Sequence, residues 1–217
     1  MNPANKRTAV LISGSGTNLQ AFIDRAAAGE LGAGLALVLA NRGQAYGLER
    51  ARLAGIPTEF VDHREYASRE AFDRVLAERL DAFDIEAIVL AGFMRILSPW
   101  FVRRYLGRIF NIHPALLPLY PGLDTHRRVL DAGDRYHGST VHFVTEELDA
   151  GPRILQGRIP VSPSRDAPGL AARVQRVEHR IYPEALNWFA SGRLSFEDGR
   201  AVLDGEVLTD PVVRDFD

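Results

Sequence analysis

The chain contains no cysteine, and that absence removes disulfide staples, thiolate zinc clusters and cysteine nucleophiles together. Long apolar stretches are missing too. The longest runs, Gly34–Ala40 and Ala87–Phe93, fall far short of a bilayer span. Nor is there an excess of one charge. With 26 Lys and Arg against 28 Asp and Glu, the formal charge is −2, so no general field draws nucleic acid or an anionic membrane. An anion must then be held by a local site. The N-terminus, Met1-Asn2-Pro3-Ala4-Asn5-Lys6-Arg7, has no signal-peptide h-region or cleavage site. What remains is an ordinary composition, 46% hydrophobic and 25% charged over 217 residues, which argues against disorder and coiled coil. The expectation is one cytoplasmic α/β domain working on small molecules, with no nucleic-acid or membrane partner, as a monomer or a homodimer.

Short apolar runs alternate with helical patterns. Thr8–Ser13, Leu35–Ala40, Thr58–Val61, Glu86–Gly92 and Arg108–His113 read as five strands. Between them, Leu19, Phe22, Ile23 and Ala26 share one helical face, and Phe72, Val75, Leu76 and Leu80 share another. Ser98-Pro99 opens a helix with a capping hydroxyl and a proline at its first position, and Gly107 closes it. This order predicts a doubly wound, mostly parallel sheet. After His113 the pattern changes. A loop crowded with Pro114, Pro118, Pro121 and Gly122 leads to Ser139–Val144 and Arg153–Val161, read as an antiparallel extension. Leu170, Val174, Val177 and Ile181 then mark a helix running towards Phe189, with a kink expected at Pro183, and a short hairpin is expected after Gly192.

Two places carry chemistry. Ser13-Gly14-Ser15-Gly16-Thr17-Asn18 joins the first strand to a helix, so the first amides of that helix and its positive end can hold an anion. The third glycine of a dinucleotide fingerprint would fall at Leu19, and the P-loop lysine is missing, so a small phosphomonoester fits better than NAD or ATP. The alternative is a glycine turn capped by Thr17 or Asn18. The second place is Phe110-Asn111-Ile112-His113-Pro114 at the carboxyl end of the fifth strand. Asn111 and His113 project to one side there, where an amide and an imidazole can stabilise an oxyanion and move a proton. Downstream lies the acidic turn Thr145-Glu146-Glu147-Leu148-Asp149. A carboxylate of that turn facing His113 would orient the ring and stabilise its charged form, but spacing leaves open a solvated turn with Asp149 bonded to its own backbone. His126, His137, His142 and His179 lack zinc spacing, no metal is expected, and His63 reads as a surface-loop residue.

Ser13–Gln20, Leu90–Leu97, Asn111–Pro118 and Gly138–Gln156 resemble the corresponding segments of phosphoribosylglycinamide formyltransferases, a folate-dependent family of purine synthesis. The resemblance spans nearly the whole chain. It implies one formyltransferase domain over 1–217, with a phosphate-binding half at 8–107, a catalytic and folate half at 108–190 and a tail at 191–217. It implies that Gly16, Thr17 and Asn18 bind the phosphate of glycinamide ribonucleotide, and that Pro114, Gln175 and Glu178 bind the rest of that substrate. Arg69, Met94, Arg95, Ile96, Leu97, Asn111, Thr145, Glu146, Glu147 and Leu148 would contact the co-substrate 10-formyltetrahydrofolate. Asn111, His113 and Asp149 would be the catalytic trio. Leu119 and Asp124 depart from the family pattern, which favours Lys and His there. The competing readings are a formyltetrahydrofolate hydrolase, a methionyl-tRNA formyltransferase, a catalytically silent ribonucleotide-binding domain and an NAD-dependent dehydrogenase.

Overall fold

The computed structural model describes residues 6–164 and 166–217. Its strands are β1 (Lys6–Ile12), β2 (Ala33–Ala40), β3 (Thr58–Phe60), β4 (Ala87–Leu90), β5 (Ile109–His113), β6 (Tyr136–Phe143), β7 (Arg153–Pro160), β8 (Leu194–Glu197), β9 (Arg200–Leu203), β10 (Glu206–Val207) and β11 (Val212–Asp215). Its helices are α1 (Thr17–Ala27), α2 (Tyr46–Leu53), α3 (Arg69–Ala82), α4 (Pro99–Arg104), α5 (Thr125–Ala132) and α6 (Ala167–Ala190). The main sheet has eight strands in the order β11-β7-β6-β5-β4-β1-β2-β3. The run from β5 through β4, β1 and β2 to β3 is parallel, and β6 and β7 continue it antiparallel.

The central strands are apolar throughout because both faces of the sheet are covered. Val10, Ile12, Val38 and Val89 face α1, α2 and α6, where Phe22, Leu48 and Tyr182 close one core. Ala9, Leu11, Leu39 and Ile88 face α3 and α4, where Leu76 and Phe101 close the other. The chain reverses its winding between β1 and β4, which are neighbours in the sheet. Ligands of open α/β sheets bind beyond the carboxyl ends of strands at such a point. Here those ends carry Ser13, whose N–H donates to Gly92 O at 3.2 Å.

Three features differ from the sequence expectation. Strand β6 begins at Tyr136, three residues before the expected start, because Gly138 belongs to the ladder: a Cβ there would sit 1.8 Å from Gly157 O. The tail forms the β8–β9 hairpin, extended by β10, but the chain then returns to the main sheet, and β11 pairs parallel with β7 at its edge. Helix α5 follows the proline-rich loop where no helix was assigned. As expected, α6 continues past Phe189, and it carries Pro183 in its interior.

Close backbone packing also places β7 under α6, since a Cβ on Gly157 would lie 2.1 Å from Val177 Cγ1 and 3.1 Å from Ile181 Cγ2. Gly157→Ala is therefore expected to destabilise the protein by about 1–3 kcal/mol through overpacking, read from the urea midpoint. An unchanged midpoint would contradict this contact.

Candidate active site

The first loop reaches α1 through Gly16, which has φ 69 and caps the helix without any side-chain bond. A Cβ at Gly16 would lie 2.7 Å from Gly47 Cα, so glycine is required both by the left-handed backbone and by the close approach of α2. Neither Thr17 nor Asn18 caps the helix. Their side chains reach α6 instead: Gln175 Nε2 donates to Thr17 Oγ1 at 3.0 Å, and Asn18 Nδ2 donates to Glu178 Oε2 at 2.9 Å. The first amides of α1 are thereby left to face outward, the arrangement that binds an anion. Arg50, which sequence reasoning missed, braces the loop from α2 by donating to Ser15 O and Gln20 Oε1, each at 2.8 Å. A cleft of about 530 Å³ lies alongside, lined by Thr17, Gln20, Arg50 and His179 among others.

Glu178 is buried, and burial pushes its carboxyl pKa up, against the bonds from Asn18 and Ser139. Its Oε1 lies 3.2 Å from Ser139 Oγ, which also donates to His113 O at 2.8 Å. One carboxylate thus ties the first loop to the end of β5.

At that strand end Asn111 pairs with His142 and His113 with Thr140 across β6. His142 Nδ1–H donates to Phe143 O at 2.9 Å, so its Nε2 accepts from Asn111 Nδ2 at 3.1 Å. Burial lowers the His142 pKa, which keeps the ring neutral and able to accept. The second Nδ2 hydrogen of Asn111 stays available. His113 is buried, its Nε2–H donating to Tyr120 O at 2.8 Å and its Nδ1 lying 3.4 Å from Asp149 Oδ2. Asp149 does not bond its own backbone. Its Oδ2 accepts the Gly122 N–H at 3.0 Å, its side chain is 6% exposed, and its own backbone is left-handed at φ 53. The structure thus brings Asn111, His113 and Asp149 together from one strand and a turn.

The flanking segments open towards the same edge of the sheet. Met94 and Ile96 are exposed, Leu97 is buried and Arg95 is half-buried, and the Met94 N–H donates to Ser13 Oγ at 2.8 Å. Leu148 is exposed beside Asp149, and Thr145 Oγ1 reaches Glu147 O at 3.4 Å within the same turn. Glu146 is turned away, paired with Arg103 of α4 at 2.9 Å. Arg69 is exposed at the start of α3, and Pro114 O accepts from Thr125 Oγ1 at 2.7 Å. His63 is not a plain surface-loop residue. It is half-buried and donates from Nδ1 to Asn41 O at 3.1 Å, beside a cleft of about 680 Å³.

The formyl transferase family model matches residues 6–186. This chain belongs to the formyl transferase family. It is 52% identical over 199 residues to the phosphoribosylglycinamide formyltransferase of Escherichia coli (strain K12), covering 92% of this chain and 94% of that one. A solved phosphoribosylglycinamide formyltransferase from Coxiella burnetii, in complex with CHES, is 48% identical and superposes with a TM-score of 0.91, over 96% of this chain and 98% of that one. The trifunctional purine biosynthetic protein adenosine-3 of Homo sapiens is 44% identical over 195 residues, covering 89% of this chain and 19% of that much longer one.

Within this formyltransferase the two departures from the family pattern lie on the outside of the proline-rich loop. Leu119 is exposed, and Asp124 precedes α5 with φ 56 and no capping bond from its side chain. Neither is bonded to a member of the trio. Among the described residues, no group of three or more His, Asp or Glu is arranged to hold a metal ion, and no helix is long and apolar enough to cross a membrane.

Behind the loop, His126 Nδ1 and His137 Nε2 share one hydrogen bond of 3.0 Å. Burial, and then the neighbouring His126, lowers the pKa of His137 to about 4, and burial lowers that of His126 as well. Both rings bind protons more readily in the unfolded chain. The stability they contribute is therefore fully present above the ordinary value of 6.5 and is lost as pH falls towards about 4. Urea unfolding between pH 7 and pH 4 should show a shallower acid loss in His137→Gln than in the parent, and an identical slope would contradict the shared-proton pair.

Proposed function

We propose that Asn111, His113 and Asp149 carry the reaction at the carboxyl end of β5. The enzyme transfers the formyl group of 10-formyltetrahydrofolate to the primary amine of 5'-phosphoribosylglycinamide, in purine biosynthesis. The observation that carries the assignment of residues is the convergence at the end of β5 of an amide held by His142, an imidazole and a buried carboxylate 3.4 Å from it, with Ser139 and Glu178 linking that strand end to the start of α1.

The residues divide the work. Gly16, Thr17 and Asn18 hold the ribonucleotide phosphate on the free amides of α1, while Pro114, Gln175 and Glu178 border the rest of that substrate. Arg69, the segment Met94–Leu97 and the turn Thr145–Leu148 take the folate. Glu146 does so through its backbone, its carboxylate being committed to Arg103. When the amine attacks the formyl carbon, the formyl oxygen gains negative charge. Asn111 offers its second Nδ2 hydrogen to that oxygen, and His113 offers its Nε2–H by exchanging the Tyr120 carbonyl for it. Asp149 faces Nδ1 and stabilises the positive charge on the ring. The proton released by the attacking amine passes to the Asp149 carboxylate through water and returns from it to the folate nitrogen as the bond between that nitrogen and the formyl carbon breaks, leaving the formylated amine and tetrahydrofolate. Residues 1–217 act as one catalytic unit in this reading, in the cytoplasm and on small molecules alone.

Removal of one preorganised donor of this kind lowers turnover by a factor of about 10²–10³. His113→Ala and Asp149→Asn are each expected to fall by that order in kcat, with ribonucleotide binding, followed by calorimetry, held within about twofold. Turnover near the parent level in either variant would remove that residue from the trio.

A further inference from the structure

Arg50 stands on α2, yet its hydrogen bonds go to the first loop and to α1. Its Nε–H donates to Ser15 O and its Nη1 to Gln20 Oε1, each at 2.8 Å, so one planar guanidinium spans the loop and the first turn of α1. The same group lies over the Tyr46 ring, 4.9 Å from its centroid, which holds it from a third side. These partners are all neutral, so the bonds leave the positive charge of the guanidinium in place.

A second bond from α2 works alongside. The Gly47 N–H donates to Gly14 O at 3.1 Å, and a Cβ on Gly16 would lie 2.7 Å from Gly47 Cα and 3.6 Å from Arg50 Cδ. Two consecutive carbonyls of the loop, those of Gly14 and Ser15, are therefore turned towards α2 and occupied there. In a planar trans peptide the N–H points opposite to the carbonyl, so the amides of Ser15 and Gly16 are aimed away from α2. Gly16 O accepts the Gln20 N–H at 2.9 Å as the first bond of α1, which points the Thr17 amide out of the helix end. Independently of these bonds, Asn18 is 9% exposed and its Oδ1 is buried without a protein partner. An orphan acceptor beside outward amides is completed by a ligand that carries a hydroxyl as well as an anion.

We infer that Arg50 is a positioning residue for the phosphate of the acceptor, a role that rests on the ribonucleotide reading above. By capturing Ser15 O it aims the loop amides at that phosphate, and it acts through the loop. A guanidinium does this because its donors lie in one rigid fork, which fixes the Ser15 carbonyl and the Gln20 amide relative to each other. Its partners, Ser15, Gln20 and Tyr46, include no member of the trio, so the effect falls on binding of the phosphate and spares the chemical step.

Arg50→Met keeps an unbranched apolar stem and removes both bonds. Steady-state kinetics would compare glycinamide ribonucleotide with its dephosphorylated riboside as acceptors. The expected result is a KM about tenfold higher for the ribonucleotide, the equivalent of ~1.4 kcal/mol. The KM for the riboside, the KM for 10-formyltetrahydrofolate and kcat should each stay within about twofold. Inorganic phosphate, competing with the ribonucleotide, should lose inhibition in the same proportion. An equal rise in KM for both acceptors would mean a general structural role and would overturn the inference, as would no rise for either or an unchanged inhibition constant for phosphate.

The parent enzyme separates the failure of Arg50 from the failure of the site. If the parent shows no preference for the ribonucleotide over the riboside, the phosphate assignment fails and takes the inference with it. If the parent shows that preference and Arg50→Met keeps it in full, only the role of Arg50 is overturned. Arg50→Lys retains the charge without the fork and serves should Arg50→Met not fold. A KM raised for the ribonucleotide alone in Arg50→Lys supports positioning, whereas a KM at the parent level shows that charge suffices and contradicts it.

Discussion

The Glu178 carboxylate is the constraint on which the arrangement of the site depends. It sits on a long helix, buried, and its two oxygens bind two different parts of the chain, Asn18 of the first loop and Ser139 of β6. Burying a carboxylate is costly unless hydrogen bonds satisfy it, so the loop, the helix and the antiparallel strand have one mutual position in which that cost is met. Ser139 passes the constraint to the carbonyl of His113. The start of α1 and the end of β5 are thereby held at a fixed separation by the protein itself. Preorganisation of this kind lets donors act on developing charge without rearranging during the reaction.

Around that knot the site is built from ordinary devices used in combination. A glycine with left-handed backbone exposes helix amides. A neutral, buried His142 fixes the face of an asparagine amide by accepting one of its hydrogens. The turn carrying Asp149 reaches across to the proline-rich loop and binds the Gly122 N–H, so the carboxylate facing His113 also secures the loop whose Tyr120 carbonyl holds the ring from its other side. The trio and the loop thus order one another, and each side chain has a partner that sets its direction.

Much of this was legible in the chain itself. The parallel strands follow from short apolar runs, because both faces of that sheet are covered and no polar alternation interrupts them. The turn from β1 into α1 follows from its glycines, and the placing of Asn111 and His113 together at the end of β5 from a spacing of two in an extended segment. Asp149 was one of several carboxylates in an acidic turn, and only the fold decides which of them is buried against the imidazole. Ser139, His142 and Arg50 carried no local signal, since what they do depends on partners far away in sequence. Strand β11 was hidden for the same reason: Val212–Asp215 looks like a tail until β7 offers it an open edge. Gly138 lies just outside Ser139–Val144, yet the sheet includes it and needs its missing side chain.

One preformed site joining the start of α1 to Asn111, His113 and Asp149 would make the acceptor a phosphorylated amine and not water. The most direct measurement follows consumption of 10-formyltetrahydrofolate by the purified protein in three conditions: with glycinamide ribonucleotide, with its dephosphorylated riboside, and with neither. Rapid turnover with the ribonucleotide, weak turnover with the riboside and negligible turnover with water alone is the predicted result. Consumption at the same rate in all three would contradict it, since the phosphate loop would then have no part in the reaction and water would be the acceptor.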